Sequence, residues 1–263
     1  MRTKPYIGVT GASSKEEVEE VCRRFSDASY AMSGDHIPML GFLVSREPLG
    51  GQDISNRRYP AVDTLPELLQ ATRSSVMTTI HYRSRERDTL ADQVGKLFTG
   101  IYEKGLCNAV QFNIIWPDVK QVKMVKDMFP EMKIVLQASD KAMADNSPRE
   151  IMEKVRQYGD SLDYCLIDPS GGRGMEFDIE RPFAIYLEIK REIPDLTIGF
   201  AGGFTGENTA DRLRRIIKRI SRQDFFIDAE GGLRDKVTEK QGNDLLNLDN
   251  VGAYLRAAAS VLK

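Results

Sequence analysis

The sequence predicts an α/β fold, an eight-stranded parallel (β/α)₈ TIM barrel with its helices outside. Three observations predict it. The chain has 263 residues, close to the roughly 250 typical of such a barrel. Short apolar runs alternate with longer amphipathic ones along its whole length. Polar residues and paired glycines gather just after the apolar runs, where a barrel places its working face. One barrel domain spanning residues 1–263 accounts for the whole chain.

The expected strands are 6–10, 38–45, 75–82, 109–115, 133–138, 164–168, 197–201 and 224–228. They are short and rich in β-branched or aromatic residues, as parallel strands buried on both faces should be. A helix-like segment follows each. The first opens on Ser13-Ser14-Lys15-Glu16-Glu17, where a serine can accept from free N–H groups and the acids suit the positive helix end. Residues 88–104 carry Leu90, Val94, Leu97 and Ile101 at helical spacing, and 206–219 carry Leu213, Ile216 and Ile217. The last helix, 249–262, carries Val251, Tyr254, Leu255 and Ala258 on one stripe. An open doubly wound sheet would usually show G-x-G-x-x-G after its first strand. Gly8 and Gly11 are present here, but that pattern is not. The longest irregular stretch, 46–63, holds Gly50-Gly51 and Arg57-Arg58; a loop of that length belongs on the working face.

Composition narrows the function classes. A net charge of −2 without a long basic tract gives no nucleic-acid footprint. No apolar run reaches the roughly 18 residues that span a bilayer, so no membrane partner is expected. The segment Met1-Arg2-Thr3-Lys4-Pro5 lacks a signal peptide's apolar core. Cys22, Cys107 and Cys165 are far apart and odd in number. They suit a reducing cytoplasm rather than a disulfide framework. Only His36 and His81 are present, against a histidine-rich metal site. His36 precedes the second strand and reads as structural at the bottom face. Alternation from Asp168 sends Cys165 to the opposite face, between barrel and helices.

At the strand ends stand Thr10, Ser45, His81, Asn113, Gln137, Asp168, Asp228 and Glu230. None is lysine, which excludes a Schiff-base aldolase. Asp168 and Asp228 are the candidate catalytic acids, and His81, which titrates near neutrality, is the candidate base. Arg58 has the fork to clamp a substrate carboxylate. Gln111, Asn113, Gln137 and Glu230 are candidate substrate contacts. Gly202-Gly203 and Gly231-Gly232 follow the last two strands. Glycines there let backbone N–H groups approach an anion, so all four are candidate phosphate contacts.

Here a resemblance becomes specific. Gly202-Gly203-Phe204-Thr205-Gly206-Glu207-Asn208 resembles the Gly-Gly-Leu-Thr-Pro-Glu-Asn segment of phosphoribosylanthranilate isomerase. Tyr6-Ile7-Gly8-Val9-Thr10, Val110-Gln111-Phe112-Asn113, Leu166-Ile167-Asp168 and the run Asp228–Arg234 are similar to that family's first, fourth, sixth and eighth strands. Arg58-Tyr59 is similar to its Arg-Tyr pair after the second strand. The matches run in order over nearly the whole chain, and each is short. The resemblance implies a phosphate-binding barrel that isomerises a phosphoribosyl amine, with an aspartate as acid and a first-strand cysteine as base. Asp168 matches the acid. Ile7 stands at the cysteine position, and Glu230 and Gly231 replace the phosphate-loop serines.

The leading expectation is therefore an acid–base isomerase or lyase for a small anionic, sugar-like metabolite, without cofactor and without the family's own activity. One alternative is a magnesium enzyme using Asp168, Asp228 and Glu230. Another is a barrel that binds a phosphometabolite without turning it over.

Overall fold

A computed structural model describes residues 3–30, 34–49, 56–169, 179–235 and 244–263. Eight strands close into one parallel barrel in chain order. They are β1 (Tyr6–Thr10), β2 (Ile37–Ser45), β3 (Met77–Arg83), β4 (Ala109–Phe112), β5 (Lys133–Ser139), β6 (Tyr164–Asp168), β7 (Thr197–Phe200) and β8 (Phe225–Ala229). Closure is made by β1 against β8, with Gly8 beside Asp228. The covering helices are α1 (Lys15–Asp27), α2 (Leu65–Ala71), α3 (Leu90–Phe98) and α4 (Val119–Met128). They continue with α5 (Pro148–Arg156), α6 (Glu180–Glu192), α7 (Thr209–Ile217) and α8 (Leu248–Leu262). After β8 comes a 3₁₀ turn, Gly231–Leu233, then a small antiparallel ribbon of β9 (Arg234–Asp235) and β10 (Leu245–Leu246).

The expected elements are present, and their bounds differ where local chemistry intervenes. Helix α1 is capped by Ser14, whose Oγ accepts from Glu17 N at 3.2 Å; Ser13 instead donates to the Glu17 carboxylate. The fourth strand was expected to reach 115 but ends at Phe112. Trp116 takes a left-handed φ of 48° before Pro117, and the chain turns away. The helix expected over 88–104 stops at Phe98, because Gly100 turns at φ 76°. Ile101 is still buried, on the turn beyond it. Gly50-Gly51 lie outside the described residues, as do Ser170 to Gly174 beyond Asp168.

Strand alternation sorts the core into two layers. Ile7, Val9, Cys165 and Ile227 pack outward against the helices. Tyr6, Met39, Met77, Val135, Tyr164, Leu166 and Phe226 fill the barrel. The rings of Tyr6, Tyr164 and Phe226 meet at centroid distances of 4.1–5.4 Å and make an apolar plug. A concavity of about 810 Å³ at the N-terminal mouth, lined by Tyr102, Met132 and Tyr164 among others, lies below that plug. His36 sits at this end and meets the Phe225 carbonyl through Nε2 at 3.0 Å. The polar strand ends lie above it, at the C-terminal mouth, where two further cavities meet them.

Candidate active site

Among the described residues, twelve line a small inner pocket at the C-terminal mouth: His81, Gln111, Asn113, Gln137, Leu166, Asp168, Ala201, Gly202, Gly203, Asp228, Glu230 and Gly231. The barrel therefore brings together every sequence-predicted site residue except Arg58 and Gly232. An outer groove of about 770 Å³ shares Asn113, Gln137, Asp168 and Glu230 with it, and adds Arg58, Tyr59, Arg83, Arg85, Arg87 and Lys141. Asp168 and Glu230 thus stand at the junction, while Asp228 and His81 lie deeper.

The deep part is one hydrogen-bonded chain. Thr10 Oγ1 donates to Asp228 at 3.0 and 3.2 Å and lies 3.4 Å from His81 Nε2. On the other side of the ring, Gln111 Nε2 donates to His81 Nδ1 at 3.1 Å and to Asn113 Oδ1 at 2.8 Å. With Nδ1 accepting, the proton belongs on Nε2, facing Thr10 and Asp228. Gln111 Oε1 has no hydrogen-bond partner among the described residues. Room for this chain comes from two inward glycines. A Cβ on Gly8 would lie 2.6 Å from Asp228 Oδ1, and one on Gly41 would lie 2.5 Å from Thr10 Oγ1 and 2.7 Å from His81 Nε2.

Burial dominates the electrostatics. It pushes the Asp228 carboxyl up to about 8, with Glu230 and Asp168 adding repulsion and the Thr10 hydroxyl opposing. It pushes His81 down to about 3. The imidazole meets a partner at each nitrogen, Thr10 on one side and Gln111 on the other. The Glu230 carboxyl is also raised, by burial and Asp168, against the pull of Arg234 and Arg58.

These shifts predict a pH dependence of stability. Asp228 binds its proton more tightly when folded, so its contribution is complete below about pH 4 and is lost as pH rises through about 8. His81 acts oppositely, its burden easing as pH rises from about 3 to 6.5. The two oppose each other between pH 4 and 6.5, and above that only the carboxyl terms remain. Unfolding free energy should fall by about 2 kcal/mol between pH 6.5 and 8, at ~1.4 kcal/mol per pH unit. Denaturant titrations of wild type and Asp228→Asn check this; the variant should lose most of the slope, and a flat wild-type profile would contradict the assignment.

Three residues sit in surroundings that the sequence did not reveal. Arg58 is not a free clamp: Nε donates to Asp244 Oδ1 at 3.0 Å, Nη2 donates to Asp244 Oδ2, and Nη1 donates to Glu230 Oε1 at 3.0 Å. Its fork is occupied by the protein's own carboxylates. Gly232 does not line the pocket; its α-carbon packs so closely on the Phe204 carbonyl that a Cβ would lie 2.1 Å from that oxygen. Ile7 faces the helix layer, so it is not at the mouth at all. The inward positions of β1 are Tyr6, Gly8 and Thr10, and the one against Asp228 is Gly8. The site still lacks a first-strand base, through a different residue from the one expected.

The glycine loop after β7 forms a tight turn, and Gly231-Gly232 after β8 open a 3₁₀ turn. Gly202 and Gly203 have φ of 107° and 66°. Asn208 Nδ2 donates to Gly203 O at 2.9 Å, Thr205 N donates to Asn208 Oδ1 at 3.0 Å, and Arg212 Nη1 donates to Gly202 O at 2.7 Å. The Thr205–Asn208 motif thus holds its own loop. The inner pocket these glycines border has a volume of about 30 Å³, roughly one water's share of the liquid. Among the described residues no group of three or more His, Cys, Asp or Glu is arranged to hold a metal ion. Asp168, Asp228 and Glu230 face one pocket without making a ligand set. Nor is any described helix long and apolar enough to cross a membrane.

Sequence reasoning missed Asp244, Arg212 and the arginines after β3. The last had a visible signal, an Arg at every second position from Arg83 to Arg87. Asp244 had none.

No protein-family model matches the chain, and no curated protein matches it in sequence. Solved structures do match in fold. Phosphoribosyl anthranilate isomerase from Thermus thermophilus superimposes with a TM-score of 0.62 at 13% identity, covering 97% of this chain and 98% of that one. A phosphoribosyl anthranilate isomerase in complex with reduced 1-(o-carboxyphenylamino)-1-deoxyribulose 5-phosphate gives 0.58 at 13% identity, covering 97% and 99%. Tryptophan synthase alpha chain from Legionella pneumophila gives 0.57 at 13% identity, covering 98% and 92%. The chain is a (β/α)₈ barrel with a fold like that of phosphoribosylanthranilate isomerase, from which its sequence is remote.

Proposed function

We propose that this protein is an acid–base isomerase or lyase for a small anionic, sugar-like metabolite, working without a cofactor and without phosphoribosylanthranilate isomerase activity. One observation carries the reading. Asp168 and Glu230 sit where a buried polar pocket opens into a groove of about 770 Å³ whose lining includes Arg58, Arg83, Arg85, Arg87 and Lys141. Buried carboxyls in a cleft beside cations are the usual equipment for moving protons on an anionic substrate, and burial raises the Glu230 carboxyl. The structurally similar isomerase solved with a 5-phosphorylated analogue supports the substrate class.

In this reading Asp168, oriented by Gln137 Nε2 at 2.8 Å, exchanges the proton with substrate. Asp228, protonated below about pH 8, holds a second proton beneath it. Gln111, Asn113, Gln137 and Glu230 meet substrate hydroxyls or amines. Gly202, Gly203 and Gly231 supply the backbone wall of the inner pocket. The family's own reaction needs a base opposite the acid, and neither Gly8 nor Thr10 on β1 is one. The three buried free thiols fit a reducing, cytoplasmic setting.

The test is incubation of the protein with aldose and ketose phosphates in D₂O, followed by NMR. Deuterium should appear at the carbon next to the carbonyl of at least one sugar phosphate. A tryptophan auxotroph lacking the isomerase should not be rescued. Tight binding with no exchange would favour a non-catalytic binding barrel, and robust rescue would refute the negative half.

A further inference from the structure

Carboxyls and the arginines paired with them stand on one side of this mouth, and exposed arginines on the other. On the β6–β8 side stand Asp168, Asp228 and Glu230, around a pocket with room for about one water. A phosphate has five heavy atoms and two negative charges. It meets there a much tighter enclosure than the outer groove, with Asp168 and Glu230 at the opening. On the opposite side the chain leaves β3 as Arg83-Ser84-Arg85-Glu86-Arg87. All three arginines line the large groove and are exposed. The strand ends at Arg83 and the chain bends at Arg85, with Glu86 N donating to Ser84 Oγ at 3.0 Å; Ser84 is buried and the three arginines face the groove.

Among the described residues, the three arginines make no ion pair. Glu86 pairs with Arg46 instead, at 3.6 Å. Arg83 engages the Tyr59 side chain, and Glu47 lies near enough to Arg83 and Arg85 for them to help lower its carboxyl. Neither Arg85 nor Arg87 has an ion-pair partner among the described residues. Lys141, after β5, lines the same groove. Fork-shaped donors suit the oxygens of a phosphate monoester.

We propose that the anionic end of the substrate, a phosphate monoester, docks on Arg83, Arg85 and Arg87 at the β3 rim, and not on the glycine loops after β7 and β8. This rests on the small-anion reading above and adds its orientation. The charged end lies at β3, and the reacting end reaches Asp168 and Glu230 across the groove. The glycine turn then serves as wall, not cradle.

The experiment titrates ribose 5-phosphate, with ribose as control, into wild type and the Arg85→Gln/Arg87→Gln double variant. Calorimetry gives affinity, and backbone amide NMR shifts locate the ligand. Both positions are exposed, so the double variant should keep the wild-type melting temperature. Its affinity for ribose 5-phosphate should fall about tenfold or more for two lost charge-assisted contacts, with ribose unaffected. Wild-type shifts should centre on residues 83–87. Shifts centred on 202–203 and 231–232 with affinity unchanged in the double variant would overturn the proposal. So would no binding of ribose 5-phosphate by wild type. Deuterium exchange tests the chemistry separately. Exchange with binding intact in the double variant sinks only the docking site; binding lost in the variant with no wild-type exchange sinks only the catalytic reading.

Discussion

Arg58→Met is expected to lower the unfolding free energy by about 3–5 kcal/mol, the usual cost of removing one partner from a buried ion pair. The side chains of Arg58 and Asp244 are each only 10% exposed, and Glu230 is 23% exposed. Three guanidinium donors reach these two carboxylates. Methionine matches the stem's apolar character but leaves both carboxyls without the fork. Glu230 has an escape, because its proton affinity is already raised. Glu230→Gln in the Arg58→Met background should therefore recover part of the loss, while Glu230→Gln alone should cost less than Arg58→Met. Denaturant unfolding at neutral pH measures all three. A loss below about 1 kcal/mol, the value of an exposed pair, would show that the fork contributes little. The cluster also ties the segment after β2 to the segment after β8, so its loss should loosen one wall of the outer groove.

Much of the barrel was legible because each strand carries its own evidence. Residues 6–10 and 164–168 were expected as strands and are strands with those bounds. Their period and flanks are local properties. Bounds failed where one backbone angle decides, as at Trp116 and Gly100. The list of mouth residues was legible for a topological reason, since parallel strands deliver their C-terminal residues to one face. Asp168, Asp228, Gln111, Asn113 and Gln137 needed no contact information to be brought together.

What those residues do there was not legible, because it depends on neighbours from distant strands. His81 is held neutral by burial and by Thr10 and Gln111 on either side of its ring. Arg58 is occupied by Asp244, 186 residues away, and no motif marks that aspartate. The direction in which Ile7 points follows from the register of a five-residue strand, where a one-residue shift exchanges barrel interior for helix layer. The glycine pairs were correctly placed at the ends of β7 and β8, yet their spacing says nothing about the volume they enclose.

The central claim is that Asp168 moves protons on a small anionic substrate at this mouth. The most direct test is Asp168→Asn, with deuterium incorporation and ribose 5-phosphate affinity measured on the same preparations. Asparagine keeps the shape and can still meet Gln137, but it cannot give or take a proton at neutral pH. Incorporation into the responsive sugar phosphate should fall by about 10²–10⁴-fold, the usual contribution of a general acid or base. Affinity for ribose 5-phosphate should be retained, since the anion sits across the groove. Incorporation at the wild-type rate in Asp168→Asn would contradict the account.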